Sequence, residues 1–500
     1  MDYPARIMVV GNGGRECAIA NAILLSERIE RLLITPPNWG VLDPHGPGRV
    51  AALHITATDS DALVQTAVRE GVQLCVIGPE APLVAGLGDD MRRAGVPVLG
   101  PGLNAARLEG SKSFAKHFLI EHGIPTAQYA EFTDPHALRR YLDVHQPPLV
   151  LKADGLAAGK GVIVCHTRAE VDEAYARLIE KREFGSAAEV VIVEELLEGP
   201  EISFTCVIAT GAETGCHGVL LQASSDYKRL QDGDAGPNTG GMGNICPSPW
   251  ATEEVLREFH REIFDKVLGG LVTEHLEYRG FLFIGTMLTP DGLQVLEFNT
   301  RLGDPEAQVV LPLTPLSDWA AALGMVAQGA MPPITYVRRY AACVAVVLAS
   351  GNYPYGKSAP ARIEGLSRVA ARGLHRPQHE DGSALLPAPV SIYFAGVERE
   401  PAGAIDASPA AAASRGEAML RPEREDARRA THGIAPTQSA PYQNYTDTLG
   451  QWDYLASGGR VLAVSALGRD LSDARRLAYE VVGNLHFEGM QLRSDIGKLR

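Results

Sequence analysis

Glu297-Phe298-Asn299-Thr300-Arg301-Leu302-Gly303-Asp304-Pro305-Glu306 decides how the rest of the chain is read. The run ends a strand on which Glu297 and Asn299, two residues apart, point to one face. Hard oxygen donors at that spacing suit a Mg²⁺ ion bridging nucleotide phosphates. Arg301, on the same side again, can hold a carboxylate or a transferring phosphoryl group as a bidentate fork. Taken alone, the same segment also reads as a solvated salt-bridge ladder.

Two glycine-rich segments lie upstream. Lys152-Ala153-Asp154-Gly155-Leu156-Ala157-Ala158-Gly159-Lys160-Gly161-Val162 is a strand delivering one Lys, a turn, and a second Lys before another strand. Two cations on a hairpin can cover a polyphosphate. It is not a Walker A loop, because Gly161 stands where a Mg²⁺-binding Ser or Thr is needed. A glycine hairpin with surface lysines is the competing reading. Asp232-Gly233-Asp234-Ala235-Gly236-Pro237-Asn238-Thr239-Gly240-Gly241-Met242-Gly243 is too glycine-rich for a regular element and reads as a loop whose backbone approaches something closely. Asp226, Lys228 and Arg229 beside it carry charge of both signs, which a mere flexible linker does not need.

Nearer the start, short apolar runs at Ile7 to Val10, Leu32 to Ile34, Leu74 to Ile77 and Val96 to Leu99 alternate with helical patterns, the rhythm of a doubly wound parallel sheet. Gly11-Asn12-Gly13-Gly14-Arg15 joins the first strand to the first helix, where backbone N–H groups can hold a phosphate or simply make a tight turn. Glu16 replaces the third glycine of a dinucleotide fingerprint, and no acid follows the second strand, so nicotinamide binding is disfavoured. Gly78-Pro79-Glu80 places Glu80 at the carboxyl edge of the sheet, where open α/β folds bind ligands.

Further along, Asp134-Pro135 and the box Thr167-Arg168-Ala169-Glu170 open helices. Strands are predicted at Leu149 to Lys152, Val190 to Glu194, Glu201 to Ile208, Phe281 to Thr289 and Gln294 to Asn299, and again after Pro332. Arg399 to Gly450, rich in Ala, Pro, Arg and Glu, reads as an irregular or disordered insertion. The predicted division is residues 1–110, 111–330 with a lid at about 128–200, and 331–500.

The 500 residues exceed one ordinary core, and 45% hydrophobic with 21% charged residues describes a globular chain. A net charge of −14 disfavours nucleic acid and anionic membranes as partners while leaving room for a local phosphate pocket. Seven scattered cysteines without a C-x-x-C pair suggest neither disulfides nor zinc, and no apolar run is long enough to span a bilayer, so a cytoplasmic location is expected.

GNGGRE, IGPEAPLVAG, LEGSKSFAK, LKADGLAAGKGV, VEELLEGPEIS, DYKRLQDGDAGPNTGGMG, VLEFNTRLGDPEAQ and SGGRVLAVSALG, in this order, resemble the ATP-grasp carboxylate-amine ligases of the glycinamide ribonucleotide synthetase (phosphoribosylamine-glycine ligase) family. The resemblance covers nearly the whole chain. It implies an α/β and α+β multidomain architecture: an N-terminal Rossmann-like parallel sheet, a central ATP-grasp fold and a C-terminal mixed β domain. It further implies a purine-biosynthesis ligase that joins glycine to 5-phosphoribosylamine through glycyl phosphate, acting as a monomer or homodimer on small molecules.

Carried over by position, Lys112, Lys152, Gly159, Lys160 and Gly161 would contact ATP phosphates. Glu194, Glu195, Leu197 and Glu201 would border the adenosine. Glu297 and Asn299 would hold Mg²⁺ or Mn²⁺. Arg301, Lys152 and Asp232 would act on the reacting groups, with Asp226, Lys228, Asn238, Thr239 and Gly240 around glycine, and Gly13, Gly14, Arg15 and Glu80 around the ribosylamine. Cys17 for a His, and Pro37 and Trp39 for small residues, depart from the family on the amine side, while Leu302 for Phe is mild. An ATP-grasp paralogue joining a different amino acid or amine in specialised metabolism is the alternative.

Overall fold

The computed structural model describes residues 2–45, 48–157, 160–211, 215–314, 316, 318–332, 340–356, 358–371, 378–379, 385–386, 389–401 and 452–498. Strands β1 (Arg6–Val10), β2 (Arg31–Thr35), β3 (Val50–Ala52), β4 (Leu74–Ile77) and β5 (Val98–Leu99) form an all-parallel sheet in the order β3-β2-β1-β4-β5. Apolar side chains fill both faces of β1, β2 and β4, as a sheet covered on both sides requires. β6 (Tyr129–Phe132), β7 (Leu149–Ala153), β8 (Val162–Cys165) and β9 (Val191–Glu195) make a separate antiparallel sheet in the order β6-β9-β7-β8.

The remaining strands, in chain order, are β10 (Glu201–Gly211), β11 (Gly215–Asp226), β12 (Arg229–Gln231), β13 (Ala235–Asn238), β14 (Gly243–Cys246), β15 (Arg279–Thr289), β16 (Gly292–Asn299), β17 (Ala342–Ala349), β18 (Ala361–Arg362), β19 (Gln378–His379), β20 (Leu385–Leu386), β21 (Val390–Phe394), β22 (Val397–Pro401), β23 (Trp452–Ala456) and β24 (Arg460–Gly468). Eight of them form one antiparallel sheet, β16-β15-β10-β11-β14-β17-β24-β21, which runs without a break from the centre of the chain into its last third. β18, β23 and β22 form a small sheet beside it.

The helix starts follow local chemistry. Asp134 caps Pro135–Val144 through the His136 and Ala137 N–H groups, and the Thr167/Glu170 box caps Arg168–Tyr175. Gly14–Leu24 packs on Ala307–Leu313, which sits over β17 and β24; this contact seats the parallel sheet against the large one. The carboxyl ends of β4 and β16 therefore open on one cleft.

Several expectations need amendment. β11 was not predicted. The glycine-rich run read as a plain loop contains a miniature hairpin, β12 and β13, turned at Asp232–Asp234 with Gly233 and Asp234 at positive φ. β22 continues to Pro401, so Arg399 to Pro401 of the supposed irregular insertion are paired with β23. Residues 402–451, the bulk of that insertion, lie outside the described residues. Among the described residues, no helix is long and apolar enough to cross a membrane.

Candidate active site

A cleft of about 1550 Å³ opens between the β6–β9 sheet, the carboxyl end of β16 and the rim of the parallel sheet. β16 delivers Glu297 and Asn299 into it, and Thr300 to Gly303 carry the chain around its floor. Burial raises the Glu297 carboxyl, but Lys228, Lys152, Lys112 and Arg301 converge on it and hold its pKa below the ordinary value. A half-buried carboxylate kept ionised by four cations is built to meet further charge.

Each cation is itself held. Lys152 Nζ lies 2.8 Å from Glu194 Oε2, and Lys116 Nζ lies 3.3 Å from Glu194 Oε1, all three side chains being buried. Burial pulls Lys116 down to about 8 against the attraction of Glu194. Lys112 Nζ donates to the carbonyls of Asp154 and Gly155 at 3.3 Å, fixing the turn after β7 to the start of the Lys112–Glu121 helix. Lys228 Nζ is 2.5 Å from Glu201 Oε2. Arg301 is gripped on three sides: Nη2 is 2.7 Å from Glu109 Oε1 and donates to Asn299 Oδ1 at 2.8 Å, while Nε is 3.4 Å from Glu80 Oε2. Burial raises Glu80, yet Arg301 and Arg15 outweigh it and hold its pKa low; in the deeper Glu109, burial prevails over Arg301 and the pKa is raised.

Of the residues singled out in the sequence, Arg15, Glu80, Lys112, Lys152, Gly161, Glu194, Glu195, Leu197, Glu201, Asp226, Lys228, Asp232, Asn238, Thr239, Gly240, Glu297, Asn299 and Arg301 all border this cleft. Lys160 is exposed and does not, and Gly159 lies outside the described residues. Gly13 and Gly14 do not reach it either. A Cβ on Gly14 would strike the Gln308 amide, so that glycine serves helix packing. The Gly13 N–H donates to Glu16 Oε2 at 2.7 Å, so the N-terminus of Gly14–Leu24 is already neutralised by an internal carboxylate, leaving less call for a phosphate there.

Asp232 faces the C-terminal segment, accepting from the Ser494 N–H at 2.7 Å and from its hydroxyl. Glu194 spends its carboxylate on two lysines, and Glu195 accepts from the Gln128 N–H at 2.8 Å. Sequence reasoning missed Glu109, Lys116, Asp304, Glu306 and Arg460, all on the cleft wall. Arg460 donates to the Gly240 carbonyl at 2.5 Å and to the carbonyl of Asp304. Asp226 and Glu306 are raised, chiefly by burial.

Two departures on the amine side, Cys17 and Trp39, sit in packing. Cys17 is fully buried and its thiol is pushed up to about 12 by burial. Trp39 stacks on the Arg399 guanidinium, 3.6 Å from its ring centre, with Trp452 on the other side at 4.1 Å. Neither Cys17, Pro37 nor Trp39 borders the cleft.

The donor set suits a metal bound largely through a ligand. Glu297 and Asn299 offer two hard oxygens, Asn299 Nδ2 lying 3.4 Å from Glu297 Oε1. No group of three or more His, Cys, Asp or Glu side chains among the described residues forms a complete cage. Mg²⁺ is held this way when phosphates and waters complete its octahedron.

Models of the Phosphoribosylglycinamide synthetase family match along the chain: the N domain over residues 5–109, the ATP-grasp (A) domain over 110–307 and the C domain over 421–499. The phosphoribosylamine-glycine ligases of Xanthomonas axonopodis pv. citri and Allochromatium vinosum are each 36% identical over 98% of this chain, covering 97% and 98% of their own lengths. The trifunctional purine biosynthetic protein adenosine-3 of Gallus gallus is 35% identical over 98% of this chain, which spans 42% of that protein. Among solved structures, phosphoribosylamine-glycine ligase from Thermotoga maritima superposes with a TM-score of 0.68 at 30% identity, covering 98% of this chain and all (100%) of that one. The biotin carboxylase domain of Hydrogenobacter thermophilus 2-oxoglutarate carboxylase shares the fold alone, with a TM-score of 0.64 at 13% identity, over 98% of this chain and 92% of that one.

Proposed function

Because this chain belongs to the phosphoribosylglycinamide synthetase family of ATP-grasp ligases, we propose that it joins glycine to 5-phosphoribosylamine in purine biosynthesis, with ATP converted to ADP and phosphate. The observation that carries the residue assignments is that Lys112, Lys152, Lys228 and Arg301 line one cleft with Glu297 and Asn299, the cations holding the Glu297 pKa below its ordinary value. Phosphorylating a carboxylate brings two anions together, so the protein's task is to neutralise charge and align the partners without a covalent side chain.

In this reading the β6–β9 sheet and the β16 rim close on ATP. Lys112 and Lys152 face its phosphates, and Glu195, Leu197 and Glu201 border the adenosine. A divalent ion, Mg²⁺ or Mn²⁺, would be held by Glu297 and Asn299 and would supply charge neutralisation between phosphates. Arg301 orients the glycine carboxylate, one of whose oxygens bonds to the γ-phosphorus as the bond to ADP breaks. The phosphoribosylamine nitrogen then bonds to the acyl carbon, phosphate leaves, and the nitrogen loses a proton. Arg15 and Glu80 face the ribosylamine, and the 232–240 segment covers the amino-acid side. The lid of about 128–200 keeps water from the acyl phosphate. Residues 1–110, 111–330 and 331–500 then divide amine binding, nucleotide binding and loop support in a cytoplasmic enzyme.

The positions of Cys17, Pro37 and Trp39 weigh against a paralogue of altered specificity, because none of them lines the cleft. The test is ADP release with glycine and phosphoribosylamine together and with each omitted or replaced. Full release with another amino acid, or release indifferent to phosphoribosylamine, refutes the assignment.

A further inference from the structure

The 232–240 segment borders the cleft, yet it has little to hold it. Residues 232–236 are exposed, three of the nine residues are glycine, and its local pairing is the short β12–β13 ladder, the bond from Arg229 Nη1 to the Gly236 carbonyl at 2.8 Å, and the Thr239 N–H and hydroxyl on the Lys228 carbonyl, each at 2.8 Å. Such a segment alone samples many conformations.

Its order comes from the last third of the chain, at two points. At one end, Arg493 is fully buried and donates to Asp234 Oδ1 at 2.8 Å, to the Arg229 carbonyl at 3.1 Å and to both oxygens of Asp495 at 2.7 Å. Asp495 in turn accepts from the Gly233 N–H at 2.9 Å, and the Ser494 N–H donates to Asp232. Burial would raise Asp495, but Arg493 and the Gly233 N–H bring it down to about 2. At the other end, the Gly240 N–H donates to the Tyr353 hydroxyl at 2.8 Å while Arg460 takes the Gly240 carbonyl.

A C-terminus that only needed anchoring would have enough in Ile496, which is fully buried in the core behind β14, and in the bond from Tyr479 to the Arg493 carbonyl at 2.7 Å. Directing a buried guanidinium at a half-exposed carboxylate on a cleft-side loop goes beyond anchorage.

We propose that Arg493, with Ser494 and Asp495, is a positioning cluster for the ligation. It acts through Asp234 and Asp232 to set the 232–240 loop over the amino-acid end of the cleft. The C-terminal segment thereby governs how tightly the amino acid binds and how well its acyl phosphate is retained. This rests on the ligase reading above.

The test uses the full chain with Asp234→Asn, Ser494→Ala, Arg493→Ala and Arg493→Lys. Asp234→Asn changes a half-exposed side chain without threatening the core. Loss of one charge-assisted hydrogen bond predicts about a tenfold rise in the KM for glycine, a KM for ATP changed less than twofold, and more than one ADP released per amide formed. Tryptic cleavage at Lys228 and Arg229 should accelerate while the thermal midpoint stays near that of the unaltered chain. Arg493→Ala should show a larger effect and Arg493→Lys a partial rescue; if Arg493→Ala fails to fold, Asp234→Asn decides. An unchanged glycine KM and one ADP per amide in Asp234→Asn and Ser494→Ala overturn the proposal. A wild-type chain that does not need glycine overturns the ligase reading beneath it, a result visible without any variant.

Discussion

Glu109→Gln isolates the group that holds Arg301 in place. Glu109 accepts from Arg301 Nη2 at 2.7 Å and from the Thr300 N–H and hydroxyl at 2.8 and 3.2 Å, and it is almost fully buried. Gln keeps the volume but has one acceptor oxygen where the carboxylate has two. Either Arg301 or Thr300 must then face an amide N–H₂. Leaving one partner of a buried ion pair uncompensated costs about 3–5 kcal/mol. Because burial has already raised Glu109, the lower end, about 3 kcal/mol, is expected for stability. By contrast the Glu80 contact is longer, 3.4 Å, and half-exposed, so Glu80→Gln should cost under about 1 kcal/mol. Freed from Glu109, Arg301 loses its alignment on the reacting carboxylate, and kcat should fall about 10–100-fold, equivalent to about 1.4–2.8 kcal/mol. The assay is steady-state amide formation at saturating ATP, glycine and amine, alongside denaturant unfolding. A folded Glu109→Gln enzyme with kcat within twofold of the unaltered chain would refute the argument, as would Glu80→Gln proving the more damaging to stability.

Glu297→Gln should abolish or severely reduce turnover, since a carboxylate ringed by four cations is lost, while the unliganded chain stays folded; activity retained in full with an unchanged Mg²⁺ dependence counts against the metal role. Lys116 supplies a stability-versus-pH prediction. Its folded pKa is lowered from 10.5 to about 8, so between about pH 8 and 10.5 the unfolded chain binds more protons, and this group makes unfolding free energy rise with pH across that window. Lys116→Met should remove that contribution; chemical denaturation of both proteins across the window checks it, and identical slopes would exclude it.

Strand-forming runs such as Leu74 to Ile77 declare themselves because continuous apolar residues are buried on both faces, and Val390 to Phe394 does so because β-branched and aromatic residues dominate it around a single Ser391. β11 did not, because Gly215, Gly218, Ser224 and Ser225 dilute its pattern; pairing with β10 and β14 holds it, and that is tertiary. Lys152, Glu297 and Arg301 were legible because the glycine turns and the strand end beside them mark unusual backbone. Glu109 and Arg493 were not. Each is an ordinary charged residue near a helix or chain end whose worth comes from a partner far away in sequence, Arg301 or Asp234. Gly13 and Gly14 show a contact that sequence reading does not give: glycines by a helix start invite a phosphate, and here the Glu16 carboxylate bonds the Gly13 N–H and the Gln308 amide packs on Gly14.

The unbroken eight-stranded sheet has a consequence for how the molecule can be divided. The edge strand that presents Glu297 and the strand that presents Arg460, β24, belong to one hydrogen-bonded fabric, joined where β14 meets β17. Cutting the chain before β17 would tear a seam through that fabric and bare two complementary borders. Each would seek the other, or a stranger, before it could stay in solution by itself. The last third is therefore not a detachable accessory but part of the same fabric that carries the site.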